Sequence, residues 1–215
     1  MSKLTLPAAA ALLTLLFEGA SMAASLDVAV IDQGGKPVES AVVSLNAPTS
    51  GTAPPALATQ AVINQNFETF FPLVTILPVG GSVVFRNSDR TMHQVYSFSA
   101  IKRFAFEVDV GQTTPTVKFD KPGIAAIGCN IHDQMITYVV VTDNPYTKLS
   151  SNQGIAHFDA LPPGHYSVAA WHPDLAPGAR PSSGEVDVGQ DGGKISLVIK
   201  LLPRRMAPMS HMGAY

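Results

Sequence analysis

The chain has 215 residues, enough for one or two domains with a substantial core. Charged residues make up only 14%, and 17 glycines with 17 prolines punctuate the sequence, which favours short strands and turns over long helices. A net charge of −2 provides no basic field for a nucleic acid and argues against that class of partner.

The chain opens with Lys3, an apolar run from Leu4 to Phe17 and a small-x-small pattern at Ser21-Met22-Ala23. This is the pattern of a secretory signal peptide over residues 1–23. The run is shorter than the ~20 residues of a membrane span, so the expected mature chain begins at Ala24 and crosses no membrane. No cysteine lies near the cut, which argues against a lipid anchor. The expected location is the periplasm.

Leu26 to Asp32 alternates, Gln33-Gly34-Gly35-Lys36-Pro37 turns, and Ala41 to Leu45 alternates again, as in a β-hairpin or corner. Residues 47–58 are rich in Pro, Thr, Ser and Gly and read as a linker. Leu73 to Pro78 and Ser82 to Phe85 flank a Gly80-Gly81 turn. Phe104-Phe106-Val108 and Thr116 to Phe119 alternate, and Lys121-Pro122-Gly123 is another turn. Ile124 to Gly128 and Ile136 to Thr142 are strand-like, with Cys129 to Met135 between them. No segment here has the 3.6-residue period of a helix.

Cys129 is the only cysteine, and an unpaired cysteine in an exported protein needs an explanation. His132 and Met135 follow at three-residue steps, so one short loop delivers a thiolate, an imidazole and a thioether. A second imidazole completes the trigonal His₂Cys set with a weak axial Met that defines blue copper. His93, after the polar turn Asn87 to Thr91, is the candidate. A buried inert thiol and a surface histidine are the plainer readings of each residue taken alone. Zinc is a weaker match, because a thioether suits it poorly.

The stretch from Val84-Phe85-Arg86-Asn87 through His93 to Gly128-Cys129-Asn130-Ile131-His132-Asp133-Gln134-Met135 resembles the cupredoxins, with the Cys-x₂-His-x₂-Met spacing of the amicyanin type. Val95 to Ser99 and Gly128 to Asp133 resemble, more closely, the plastocyanin-like bacterial proteins labelled methylamine utilization proteins. The resemblance implies a Greek-key β-sandwich over residues 51–143. It also implies one type 1 copper per chain held by His93, Cys129, His132 and axial Met135. The function implied is carriage of single electrons between redox partners that dock near a surface-breaching His132, with no catalysis. His93 should be the more buried histidine.

Three positions depart from that pattern. Gln94 stands where the family has Asn, which leaves the brace between the two ligand segments in doubt. Met92 and Ile131 replace prolines. Proline lacks an N–H, so Ile131 is expected to donate a hydrogen bond to the Cys129 sulfur and raise the reduction potential.

Asp32-x₂-Gly35-Lys36-Pro37-Val38, then Gly154-x₃-Phe158-x₂-Leu161-Pro162-Pro163-Gly164, Val186-x-Val188 and Ile195 to Leu201, resemble a carboxypeptidase-regulatory-like (transthyretin-like) β-sandwich. The expected organisation is all-β. Residues 24–50 and 144–203 form that second sandwich, with the cupredoxin inserted in it or arranged in tandem. His157, His165 and His172 read as surface or turn residues rather than a second metal site, and Trp171 as packing. The tail, 204–215, reads first as a flexible end with no role; its Met206, Met209, His211 and Met212 also suit Cu(I), which makes copper storage or delivery the alternative function. A non-redox structural or ligand-binding module is the third reading.

Overall fold

A computed structural model describes residues 24–46 and 56–203. The expected signal peptide and Met-containing tail lie outside the described residues. Among those residues there are strands and turns and no helix, hence no helix long and apolar enough to cross a membrane.

The strands follow period-two alternation. In β1 (Ala24–Asp32), Ala24, Leu26, Val28 and Val30 are buried while Ser25 points out. That strand pairs antiparallel with β13 (Ile155–Leu161) and parallel with β16 (Gly193–Ile199). β2 (Val42–Asn46) lies between β12 (Thr147–Leu149) and β14 (Gly164–Trp171), and β15 (Ser182–Val188) completes that sheet. Both sheets therefore draw strands from the two ends of the chain. They close over a core that includes Leu26, Leu45, Phe158, Tyr166 and Ile199. The Tyr166 hydroxyl donates to the Pro162 carbonyl at 2.6 Å.

The middle of the chain makes the other two sheets. One has the order β5 (Val74–Pro78), β11 (Ile136–Thr142), β10 (Gly123–Cys129), β7 (His93–Ser97), β8 (Phe104–Val108). The other runs β4 (Thr69–Phe71), β3 (Gln60–Asn66), β6 (Ser82–Asn87), β9 (Val117–Lys118). Ile63, Leu77, Phe85, Val95, Phe119, Ile127 and Val139 fill the space between them. Strands β3 and β4 fall in a stretch where the sequence shows no alternation.

The two sandwiches touch through apolar side chains. Val74 and Val140 meet Val42, with Leu73, Ile76, Tyr138, Leu149 and Trp171 around them. Trp171 stands edge-on to Tyr138 at 5.9 Å, so its expected packing role is what the structure shows.

The outer sandwich carries charged cross-strand pairs. His157 on β13 faces Asp27 on β1, and its two ring nitrogens lie 2.6 Å from Asp27 Oδ1 and Asp159 Oδ1. His165 pairs similarly with Asp187 at 2.8 Å, whereas His172 is buried at the turn after β14. Hydrogen bonds to Asp27 first and Asp159 second hold His157 above the ordinary histidine range. A raised folded-state pKa adds stability at pH values below the unfolded-state value, and that increment is lost as pH rises through the folded value. An NMR titration should therefore place His157 above an unperturbed histidine. His157→Gln should flatten stability against pH across that window, and the surface position keeps the effect small.

Candidate metal centre

Alternation aims two of the site residues. In β7, His93, Val95 and Ser97 point inward, and in β10, Ala125, Ile127 and Cys129 do the same. Antiparallel register sets Cys129 opposite Val95. The inward step beyond Val95 is His93, so thiol and imidazole enter the inter-sheet space at one end of the sandwich. Gly128, opposite Tyr96, lets that ring lie flat against the strand, because a Cβ there would fall 2.9 Å from the Tyr96 oxygen.

After Cys129 the chain turns back. The Met135 N–H donates to the His132 carbonyl at 3.0 Å and the Cys129 N–H to the Met135 carbonyl at 3.3 Å. This returns His132 over the sulfur. The Cys129 Sγ lies 3.6 Å from His93 Nδ1 and 4.0 Å from His132 Nδ1, and the three ligating atoms lie within 4.8 Å of one another. The two imidazole rings are 5.1 Å apart, edge to face. His93 is fully buried, Cys129 is buried, and the His132 side chain is 18% exposed. Met135 is buried in the same core cluster as Cys129.

The donor set fits a metal ion on geometry. Metal–nitrogen bonds of about 2.0 Å and a metal–sulfur bond of about 2.3 Å at trigonal angles put N and S about 3.7 Å apart. Both observed separations bracket that value. Among the described residues no other such group of His, Cys, Asp and Glu occurs. The buried Gln65 amide, whose strand neighbour is Asn87, has no hydrogen-bond partner for its nitrogen or oxygen. Water or an ion ordinarily satisfies such a group.

Three supports surround the cluster, and of these the sequence raised only the third. Asn87, fully buried, donates to the carbonyls of Thr91 and Val108, both at 2.8 Å, and accepts from the Asp89 N–H. That fixes the loop leading into His93. Asp89 in turn places Oδ2 2.8 Å from His93 Nε2. A carboxylate in that position would hold a proton on Nε2 and leave the Nδ1 lone pair toward the sulfur. The third support is Gln94. Its side-chain oxygen accepts from Asn130 Nδ2 at 2.9 Å, its carbonyl accepts from the Asn130 N–H at 3.0 Å, and its Nε2 donates to Glu107. The longer amide thus braces the two segments after all.

The hydrogen bond expected from Ile131 to the sulfur is not formed. Asn130 turns its N–H to Gln94, and Ile131 next to it lies at the surface, 45% exposed. The Sγ contacts are the two imidazole nitrogens.

Above the site lies the tip of the β3–β4 hairpin, Phe67-Glu68. Both residues have φ of 52°, the left-handed region that two-residue hairpin loops require and that Asn-Gly usually supplies. Non-glycine residues there cost of order 1 kcal/mol each. Glu68 Oε1 stands 3.5 Å from His132 Nε2, and Phe67 is 87% exposed.

Comparison with known proteins gives a partial likeness. A purple cupredoxin from Nitrosopumilus maritimus aligns at 22% identity over 38% of this chain and 99% of its own, with a TM-score of 0.34. Amicyanin from Paracoccus versutus (Thiobacillus versutus) aligns at 20% identity over 46% of this chain and 98% of its own, TM-score 0.35. A copper-containing nitrite reductase from Thermus scotoductus aligns at 20% identity over 54% of this chain and 28% of its own, TM-score 0.36. No protein-family model matches the chain, and no curated protein does.

Asn87→Ala leaves two carbonyls without their donor. At about 1–3 kcal/mol for each group left unsatisfied, the variant should lose roughly 2–6 kcal/mol in denaturant unfolding, toward the lower end because the Thr91 bond is only part-buried. Hydrogen exchange should accelerate in residues 88–92.

Proposed function

We propose that the inner sandwich, residues 51–143, is a cupredoxin that holds one type 1 copper and carries single electrons between redox partners in the periplasm. The observation that carries this reading is the convergence of His93 Nδ1, Cys129 Sγ and His132 Nδ1 within 4.8 Å at the buried end of a β-sandwich. Met135 is the axial ligand in this reading. Two imidazoles, a thiolate and a thioether suit copper better than zinc or a hard cation. Copper in such a set supplies one-electron redox chemistry.

The protein's part is to hold the donors still and dry. Cys129 and His93 are buried, and Asp89 and Gln94 hold the segments that present them. Fixed donors keep coordination change small between oxidation states. His132 is the ring that reaches the surface, beside exposed Ile131 and Phe67. A partner docks there in this reading, by contact with His132 rather than with the sulfur. The outer sandwich, residues 24–50 and 144–203, is read as a carboxypeptidase-regulatory-like domain into which the cupredoxin is inserted. Residues 1–23 are read as the signal peptide.

Titration of the purified metal-free protein with Cu(II) tests the reading. One equivalent should produce an intense visible thiolate-to-copper band, absent in Cys129→Ser and lost or much weakened in His93→Ala. Voltammetry of the loaded protein should give a reversible one-electron wave. A protein that takes up copper without that band, or binds only Cu(I) without a reversible wave, is a storage or delivery protein instead.

Ile131→Pro removes an N–H that does not reach the sulfur. The variant should keep the wild-type potential within measurement error, whereas a substantial fall would reinstate Ile131 as a sulfur donor.

A further inference from the structure

Both histidines of the centre have a carboxylate near the outer nitrogen, and the two acidic residues are joined. Asp89 Oδ2 lies 2.8 Å from His93 Nε2 and accepts the backbone N–H of Glu68 at 3.1 Å. The side chain of that same Glu68 reaches His132 Nε2 at 3.5 Å and accepts from Gln134 Nε2. The contacts therefore form a ring: His93, Asp89, Glu68, His132 and back through Cys129. Phe67 and Glu68 both adopt left-handed backbone conformations at the hairpin tip that carries Glu68.

We propose that Asp89 and Glu68 form an outer carboxylate clamp, in which Asp89 locks the His93 ring with Nδ1 toward the sulfur and both charges bias the centre toward the higher oxidation state of its metal. The inference deepens the copper reading and rests on it for the second half. A ring nitrogen that donates to a carboxylate fixes the tautomer and makes the opposite nitrogen a better donor. Two negative charges beyond the ligands also favour the ion of greater charge, by Coulomb attraction in a partly dry site. The two members are unequal. Asp89, 10% exposed, makes a short hydrogen bond, whereas Glu68, half exposed, makes a longer and better-screened contact. Asp89 therefore dominates. Both are positioning residues, since neither carboxylate touches the sulfur.

The test uses the full chain with Asp89→Asn and Glu68→Gln, which keep side-chain size and remove charge. In metal-free protein, ¹⁵N-histidine NMR should show His93 wholly as the Nε2–H tautomer. Asp89→Asn should give a tautomer mixture, and this readout needs no copper. In copper-loaded protein the ratio of Cu(II) to Cu(I) affinity should fall at least tenfold in Asp89→Asn, a rise of at least 59 mV for a one-electron couple. Glu68→Gln should shift it in the same direction by less. A wild-type tautomer mixture, or variants that retain the wild-type potential, overturns the clamp. Should Asp89→Asn fail to fold, Glu68→Gln, whose position is exposed, still decides by its potential. Should copper give no thiolate band in the wild type, the copper reading fails, and the NMR result still decides the orienting half of the proposal.

Discussion

The antiparallel pairing of β7 with β10 is the constraint on which the centre depends. Strand side chains alternate, so the register Cys129 opposite Val95 determines which residues of both strands face inward. A slip by one residue would turn Cys129 to solvent and bring Gly128 inside. The flat seat of Tyr96 on Gly128 disfavours that slip, and so do the two hydrogen bonds that Asn130 donates to Gln94. Rigidity at the centre is in this sense a property of the sheet, with the short return loop contributing only His132 to the cluster.

Around that register the polar groups are arranged in layers. Asn87 braces the loop of Asp89, Asp89 orients His93, and His93 faces the sulfur. Each layer is buried or half-buried, so its hydrogen bonds compete with little water. On the far side the same loop is reached by the hairpin tip, whose strained backbone persists because Glu68 and Phe67 are held by Asp89 and by the Thr69 hydroxyl. Strain maintained by neighbouring contacts is commonly found beside functional groups.

Much of this was legible in the chain, and what was not has physical causes. Alternation in Leu26 to Asp32, Ile124 to Gly128 and Ile136 to Thr142 predicts strands that the structure contains. The spacing of Cys129, His132 and Met135 marks one loop, and the structure also brings His93 to it. Strands β3 and β4 were not legible, because Gln60 to Asn66 mixes amides with aliphatics on both faces. Their turn lacks the glycine or asparagine that usually announces a hairpin. Asp89 and Glu68 were missed for the same reason: an acidic residue in a polar turn looks like solvated surface until the fold places a ring nitrogen beside it. His172 lies at a turn, as expected, and is also buried there, which a turn position does not announce.

The pairing of β2 with β12 has a consequence for how the molecule assembles. Ser44 sits opposite Thr147, and the Asn144 amide donates to the Leu45 carbonyl, so the chain leaves the outer sandwich and re-enters it at nearly one point. To the outer sandwich, everything between these residues is a single connection. Closing a slack connection of roughly 100 residues costs about 4 kcal/mol of chain entropy. Once the inner sandwich has formed, its ends are already side by side and most of that cost is gone. The order of events during folding is thereby biased from the inside outward.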